Sequence, residues 1–435
     1  MWPDTFSFTA NREDDCAVIL AEDRCRLDIG GESVLLDARI AFRPHRFPST
    51  QIELATFDLA VDEEEPVSLD LEISGMTLKD GRLSAIHWDE RSSASRYGYR
   101  VRQSEPMILA KSGDIIEAEA LVYNLSRFSF GGGPSNGREE LILEIPGGWK
   151  ITIGPLAPEL YKDKEVFELL GSPWRRPTHS LRLMRPDGSG STSADLHDML
   201  FLFQYFLSFA WGRFVGIGLV QGRSSSGALS YAMPGITHID PQTHPVARNV
   251  HWFPPSQAEI LAEILPGFWQ KMTDPQWRES VEWGIYWWLS ANHATGVSEA
   301  SILASQSGLE SLSLSVLCRL GGLPRRQVED MSAAEKIRKM LGLMRAPQDI
   351  PGQLSDLRSV AATKGWDGPQ ALTKVRNALV HPSKGSETGL AFEASQLGLW
   401  YLELMLLFLF GYKGRILNRT VFHAPWFQEE LVPWA

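Results

Sequence analysis

One stretch decides the helical half of this chain: DGPQALTKVRNALVHP, at residues 367–382. The aspartate at its start is a favoured helix-capping residue, and a proline two positions later suits a first helical turn. Leu372, Val375 and Leu379 then recur at the spacing of one buried helix face. Because a proline disfavours helical dihedral angles in the residue before it, the helix should end at His381.

The same stretch carries three polar side chains suited to RNA chemistry, Arg376, Asn377 and His381. An imidazole titrates near neutral pH and can take or return the proton of a ribose 2′-hydroxyl. A guanidinium can stabilise charge on phosphoryl oxygens with its fixed fork of donors. The pattern therefore suits attack of a 2′-hydroxyl on its own phosphodiester without a metal. Arg and His also occur at this spacing by chance, with the His a simple helix cap, and spacing alone leaves that alternative open.

Outward from this stretch, the sequence is helical from about residue 256 to its end. Ser298 is placed to cap one helix, and SAAE at residues 332–335 has the form of a capping box. A last apolar helix should end at Phe410, where a glycine follows. With a further helix over residues 281–291, the pattern predicts an all-α bundle of four or five helices.

The front of the chain has the pattern of β-structure. Turn signals such as KDG at residues 79–81 and PDG at residues 186–188 separate short, partly alternating segments. Those segments lie at residues 33–40, 51–56, 67–73 and 115–123. An apolar helix at 196–211 and a strand-rich piece at 213–233 follow.

The predicted fold class is therefore α+β. We expect a β-rich N-terminal domain of sandwich or barrel-like type over residues 1–190. A mixed connecting region attached to it should cover residues 191–255, and an all-α domain residues 256–435.

Glu310 lies in line with Leu303 and Leu317, seven residues to either side on an upstream helix. A carboxylate in an apolar stripe is costly unless it is paired, and Arg376 is the obvious partner. The alternative is a carboxylate at the edge of the stripe that reaches solvent. In the paired case Glu310 would hold the guanidinium in place without taking part in proton transfer.

The net charge of −11 is unevenly divided. From residue 275 onward 16 Lys+Arg stand against 15 Asp+Glu, so the acidity belongs to the front of the chain. The back half could therefore meet a polyanion without a large electrostatic penalty, although a strong nucleic-acid-binding domain would be plainly basic.

Three scattered cysteines, Cys16, Cys25 and Cys318, and the lack of a signal peptide indicate a reducing cytoplasm. Apolar runs at residues 199–211 and 397–410 fall short of the roughly 20 residues of a spanning helix, so buried helices are expected in place of a membrane anchor.

The histidines and tryptophans give weaker indications of function. The gaps between His238, His244 and His251 fit no usual zinc spacing, and we predict no metal and no cofactor. Three tryptophans could stack bases, but on a helix beside apolar residues they are more often core. They are Trp283, Trp287 and Trp288.

The helical region, residues 275–412, resembles a HEPN domain, the all-α ribonuclease fold marked by Arg-x4–6-His, and is most similar to its ApeA-like branch among bacterial abortive-infection proteins. The resemblance is carried by Leu309-Glu310, by SAAEKI at residues 332–337, by TKVRNALVHP at residues 373–382 and by the apolar last helix. ApeA-like proteins also carry a β-rich N-terminal domain.

This resemblance implies roles for single residues. Arg376 and His381 take the catalytic positions, Asn377 is their polar companion, and Glu310 is the supporting acid. HEPN ribonucleases generally work as dimers, so a homodimer or higher even oligomer through the helical domain is expected. Basic side chains that could line an RNA path, or simply be solvated, are Arg325, Arg326, Lys336, Arg338, Lys339, Lys374 and Lys384.

The function expected from these observations is a metal-independent endoribonuclease that leaves a 2′,3′-cyclic phosphate and serves as an abortive-infection effector against phage. tRNA is the substrate suggested by the family, and the β-rich domain would restrain the nuclease or sense a phage-derived trigger. Two alternatives stay open: a non-catalytic adaptor that binds nucleotides or proteins, and a toxin controlled by a separate partner.

Overall fold

The structure is a computed structural model. It describes residues 18–29, 32–43, 49–54, 67–73, 76–86, 97–101, 109–110, 114–125, 140–155, 177–236, 251–254, 257–294, 297–381, 389–421 and 428–435. The described residues form two compact units. The first comprises those within 1–126, 138–201 and 215–245, and the second those within 202–214 and 246–435.

An antiparallel sheet of thirteen strands forms the first unit. The strands are β1 (Val18–Ile29), β2 (Glu32–Arg43), β3 (Ser49–Leu54), β4 (Val67–Ile73), β5 (Met76–Ile86), β6 (Tyr97–Val101), β7 (Leu109–Ala110), β8 (Glu117–Tyr123), β9 (Leu141–Ile145), β10 (Trp149–Pro155), β11 (Pro177–Met184), β12 (Gly216–Arg223) and β13 (Leu229–Ile236).

The first six strands close on themselves. They follow the order β4-β1-β2-β3-β6-β5, and β5 pairs back to β4. The other strands continue from β5 in the order β7-β13-β12-β8-β11-β10-β9. The turn predicted at residues 79–81 is wrong, because β5 runs through it. A register shift between Leu69 and Leu71 of β4 accommodates this part of β5 as a bulge.

The turn predicted at residues 186–188 is confirmed. The backbone N–H of Gly188 donates to the carbonyl oxygen of Arg185 at 3.0 Å, and Gly188 has a φ of +69°. Side chains of β10 and β11 alternate between the two faces of the sheet. Their buried members include Ile151, Ile153, Leu181 and Leu183.

The helices are α1 (Ser193–Trp211), α2 (Ile260–Thr273), α3 (Arg278–His293), α4 (Ser298–Arg319), α5 (Arg325–Glu329), α6 (Ala333–Leu343), α7 (Ser355–Lys364), α8 (Gly368–Val380) and α9 (Ala391–Leu409). A short hairpin of β14 (Arg415–Leu417) and β15 (Glu429–Leu431) follows α9. A β-sheet region in front of a helical half confirms the predicted α+β class.

Capping chemistry sets several helix ends as expected. Ser332 and Glu335 form a reciprocal capping box at α6, and α9 stops before Gly411, which has a φ of +70°. The start of α4 differs from the expectation. Its N-cap is Val297, which supplies no side-chain bond, and Ser298 is the first helical residue.

Aromatic packing builds the core of the second unit. The ring of Phe209, near the end of α1, lies 5.1 Å from Trp288, 5.3 Å from Phe410 and 5.7 Å from Trp252 between ring centroids. The last helix, α9, is long and apolar enough by composition to cross a membrane, but 83% of its apolar window is buried inside the protein. It is therefore placed as a core helix, as the apolar run 397–410 predicted.

Candidate functional site

Helix α8 presents the Arg-Asn-x-x-x-His sequence from a firmly capped start. The Asp367 side chain accepts from the Gln370 backbone N–H at 2.8 Å, and the Gln370 side chain accepts in return from the Asp367 backbone N–H at 3.3 Å. Leu372 and Val375 are fully buried. The face of α8 that carries them fixes the direction in which every other side chain of this helix points.

Arg376 is half-buried at the edge of that face, and Asn377 is exposed. The guanidinium Nη1 of Arg376 donates to Oδ1 of Asn377 at 3.1 Å. The Nε of Arg376 is buried and has no hydrogen-bond partner among the described residues. Part of the guanidinium is thus desolvated, while Asn377 orients one of its two terminal nitrogens, Nη1.

His381 is the C-cap of α8 and leaves the helical conformation with φ −124° and ψ 79°. Its backbone N–H still donates to the carbonyl of Asn377 at 2.9 Å, and its side chain is exposed. The predicted end of the helix at His381 is confirmed. The imidazole projects from a helix terminus, where it is accessible to a substrate.

Gly398 of α9 shows how α8 lies against α4. A Cβ at Gly398 would meet the side chains of Ser305 on α4 and Leu372 on α8, so the three helices meet at this point. Further close approaches of this kind join Gly308 to Leu402 and Gly368 to Tyr401. These contacts show that α4 and α9 run in the same direction, because higher residue numbers of α4 meet higher residue numbers of α9. Along α8 the order is reversed. Helix α8 is antiparallel to the other two.

The ion pair expected between Glu310 and Arg376 is not formed. Glu310 is exposed, and its Oε1 accepts from Nε2 of Gln306 at 2.8 Å. Ser305 of α4 and Leu372 of α8 lie at the same level, that of Gly398. Glu310 is five residues beyond Ser305 on α4, and Arg376 is four residues beyond Leu372 on α8, which leads in the opposite direction. At 1.5 Å per residue this separates them by roughly 13 Å along the helix axis.

The apolar stripe that included Glu310 was misidentified from the sequence. Leu303, seven residues earlier, is itself 36% exposed. The buried face of α4 is instead formed by Ile302, Leu309, Leu312 and Val316. Residues seven positions apart lie on one side of a helix whichever side is considered. The spacing alone therefore did not show which side of α4 is buried.

The candidate RNA-binding cations differ in their engagement. Arg325 pairs with Glu329 at 2.7 Å, and Arg338 donates to Asp367 at 2.6 Å, so the latter links α6 to the cap of α8. Arg326, Lys339 and Lys374 are exposed and Lys336 is half-buried, whereas Lys384 lies outside the described residues. The exposed side chains of this set are better suited to meet a polyanion than Arg338, which is bound to Asp367.

Sequence reasoning missed a buried polar cluster around Glu403 of α9. This carboxylate is fully buried, and its Oε2 accepts from Nη2 of Arg419 at 2.6 Å and from Nε at 3.1 Å. Nη1 of Arg419 donates to Oδ1 of Asn292 at 2.9 Å. Burial raises the pKa of the Glu403 carboxyl, and the guanidinium opposes that shift. The sequence signal was a glutamate inside an apolar run.

The tryptophans of α3 divide between core and surface. Trp288 is fully buried as predicted, whereas Trp283 is 49% exposed, so the core assignment is wrong for that residue. Trp283 stacks with Trp287 at 6.5 Å between ring centroids and meets Tyr286 edge-on at 5.6 Å.

Possible metal ligands are sparse in the described part of the chain. No group of three or more His, Cys, Asp or Glu residues gathers there in a way that could hold a metal ion. His238 and His244 lie outside the described residues. His251 is half-buried, and desolvation together with the positive charges of Arg213 and Arg419 lowers its pKa to about 4.

Comparison with known proteins shows similarity to one family in two parts of the chain. Residues 274–431, which include α8 and α9, match the YopA C-terminal domain, and residues 131–244 match the YopA central domain. No solved structure matches the chain.

A relative in Bacillus subtilis (strain 168) bears the name "SPbeta prophage-derived uncharacterized protein YopA". It is 29% identical over 282 residues, which cover 63% of this chain. The match spans 62% of the relative's own length.

Proposed function

We propose that this protein is a metal-independent endoribonuclease of the HEPN type, acting in the cytoplasm as an effector against phage. The observation that carries the proposal is the end of α8. There an exposed imidazole, His381, follows a half-buried guanidinium, Arg376, whose tip is oriented by Asn377. A general base and a fixed cation on one helix end are the groups that 2′-hydroxyl attack requires.

In this mechanism His381 takes the proton from the ribose 2′-hydroxyl as its oxygen attacks the adjacent phosphorus. The Arg376 tip stabilises the charge that grows on the phosphoryl oxygens. The P–O bond to the 5′-oxygen breaks, and a second proton donor returns a proton to that leaving oxygen. A homodimer would provide His381 of a second copy for this step, which leaves a 2′,3′-cyclic phosphate and a 5′-hydroxyl.

The context of the site supports an effector role. The relative from Bacillus subtilis is named as prophage-derived, and a protein used in competition between phages could be carried there. tRNA is the proposed substrate, since its loops offer unstacked bases beside accessible phosphates. The β-rich unit is proposed to bind the phage-derived trigger.

The test is cleavage of total cellular RNA by the full-length protein in EDTA, with end-group mapping of the fragments. Arg376→Ala and His381→Ala should each lower the rate by about 10²–10⁴-fold, the range for loss of a general acid–base or a charge-stabilising group. Arg358→Ala and His293→Ala, exposed residues on α7 and α3, serve as matched controls. Equal rates in His381→Ala and wild type would exclude this mechanism.

A non-catalytic adaptor is the second candidate, and the exposed rings of Trp283 and Tyr286 favour it. Aromatic side chains that remain half in solvent often mark a binding surface. The RNA-cleavage assay distinguishes the adaptor from the nuclease. An adaptor would leave RNA intact with and without phage lysate, and Trp283→Ala would then weaken partner binding while His381→Ala would not.

A further inference from the structure

A buried hydroxyl on α4 is the further feature of interest. The Ser301 side chain has an exposure of 0%, and its Oγ has no hydrogen-bond partner among the described residues. A buried polar atom without a partner costs roughly 1–3 kcal/mol, so such an atom calls for an explanation. The Nε of Arg376 on α8 has the same status.

The alignment of the helices brings these two groups to one level. Ser305 on α4 and Leu372 on α8 meet at Gly398. Ser301 is one turn before Ser305, and Arg376 is one turn after Leu372, on the same faces as those two residues. Because the helices run antiparallel, both steps lead to the same end of the bundle. Ser301 and Arg376 therefore lie at the same level along the bundle axis, on the sides of α4 and α8 that meet at Gly398.

Three side chains near this level, all among the described residues, offer no acceptor to the Arg376 Nε. On α9, the residue one turn before Gly398 is Ala394, which is fully buried and offers only a methyl group. The carboxylate of Glu393 is already bound to the backbone N–H groups of Asp356, at 3.4 Å, and Leu357, at 2.7 Å. Glu299, two residues before Ser301, points about 160° away around α4.

We infer that Ser301 is a positioning residue for Arg376. This inference rests on the proposed function. In the RNA-bound state the Ser301 Oγ accepts a hydrogen bond from the Arg376 Nε, while the two terminal nitrogens of the guanidinium bind the scissile phosphate. The hydroxyl thereby holds the long arginine side chain in one orientation, and both buried polar atoms gain a partner. Alignment of this kind acts on the chemical step more than on substrate binding.

The experiment is a double-mutant cycle on RNA cleavage with Ser301→Ala, Arg376→Lys and the combined variant. Lysine keeps the charge of Arg376 but has no Nε–H to donate. Ser301→Ala alone should lower kcat about tenfold, the effect of one lost hydrogen bond to a charged group, with little change in KM. In the Arg376→Lys background the same substitution should change nothing.

Two further measurements separate positioning from a purely structural role. Ser301→Ala should leave the Tm unchanged or raise it, because it removes a buried hydroxyl that has no hydrogen-bond partner in the described part of the chain. The matched control is Ser305→Ala, one turn away on the same helix, whose hydroxyl donates to the carbonyl of Ile302 at 3.1 Å. That variant should keep its kcat.

Failure of the inference is distinguishable from failure of the proposed function. If wild type cleaves RNA and the effects of Ser301→Ala and Arg376→Lys multiply independently, the inference is wrong and the nuclease stands. If wild type cleaves nothing, the same cycle is measured on the Kd of a single-stranded DNA oligonucleotide, which lacks the 2′-hydroxyl. Coupling there would keep the role of Ser301 without the nuclease, whereas additive effects or no binding would overturn it.

Discussion

The guanidinium of Arg419 binds the carboxylate of Glu403 inside the second unit, with two donors at 2.6 and 3.1 Å to one oxygen. The Arg419 side chain is 8% exposed and the Glu403 side chain 0%. Arg419 also donates to Asn292, so one side chain after α9 is bound to both α9 and α3. This contact anchors the chain that follows α9 to the helical core.

Arg419→Met should therefore destabilise the protein strongly, because it leaves a buried carboxylate without its cation. Removing one partner of a buried pair typically costs about 3–5 kcal/mol in the free energy of unfolding. Urea unfolding would measure the loss. The control is Arg415→Met, which breaks an exposed ion pair with Glu429 at 3.2 Å and should cost under about 1 kcal/mol. Equal losses in the two variants would contradict an anchoring role.

His251 should make the stability of the protein fall in mild acid. Its pKa is lowered to about 4, first by burial and then by the charges of Arg213 and Arg419. Between pH 6.5 and 4 the unfolded chain binds a proton that the folded chain does not, so stability present above pH 6.5 is lost as the pH falls. The loss from this residue approaches roughly 3 kcal/mol at pH 4.

The measurement compares urea unfolding of wild type and His251→Gln from pH 7.5 to 4.5. The carboxyls of buried Glu403 and half-buried Glu430 have raised pKa values and change stability in the opposite sense, but they are common to both proteins. The difference between the two curves therefore reports His251. A wild-type slope in His251→Gln would refute the assignment.

Local signals were enough to predict much of the helical fold. The capping box at Ser332 and the start of α8 at Asp367 depend on side chains within three residues of each other, and such short-range chemistry is legible in a sequence. The end of α8 at His381 follows from one proline in the same way. For the candidate site, these signals placed Arg376 and His381 on the right element.

Contacts between helices could not be predicted from the sequence. Glu310 was given Arg376 as a partner because a carboxylate in an apolar stripe needs a cation, but the direction of α8 relative to α4 is a property of the packed bundle. The partner of Glu403, Arg419, is sixteen residues away across a reversal of the chain. Ser301 carried no signal, since its interest arises only from burial at the level of Arg376.

The cap of α8 should matter both for stability and for activity. The carboxylate of Asp367 accepts from the Gln370 backbone and from Nε of Arg338. Asp367→Asn keeps an oxygen for the cap but loses the ion pair, whereas Asp367→Ala loses both. We expect Asp367→Ala to cost about 1–2 kcal/mol in the free energy of unfolding and Asp367→Asn less than half of that.

Thermal unfolding and RNA cleavage would check this order. Because α8 also carries Arg376, a frayed first turn in Asp367→Ala should lower the cleavage rate below that of Asp367→Asn. The cap of α6 provides the comparison. Ser332→Ala should lower stability by a similar amount, about 1 kcal/mol, without changing cleavage. The same loss of cleavage in Ser332→Ala would show that stability alone controls the rate.

Gly398→Ala should separate α9 from its two neighbours. An added Cβ meets the Ser305 side chain first and the Leu372 side chain next, and both of these side chains are fully buried. Overpacking of this kind costs about 1–3 kcal/mol. Since Leu372 sets the height of Arg376, cleavage should fall about tenfold in the same variant, as expected for a misplaced catalytic group.

Two companion variants make this prediction specific to the three-helix contact. Ser305→Ala removes the oxygen that the new methyl group meets, so the double variant should regain part of the lost stability, a coupling that distant sites do not show. Gly342→Ala, on the exposed side of α6, should instead stabilise its helix by up to about 1 kcal/mol, since among the described residues the new Cβ would meet only the Gln348 side chain, at 4.0 Å. If Gly398→Ala behaves like Gly342→Ala, the close approach of α4, α8 and α9 is absent, and the alignment of Ser301 with Arg376 fails with it.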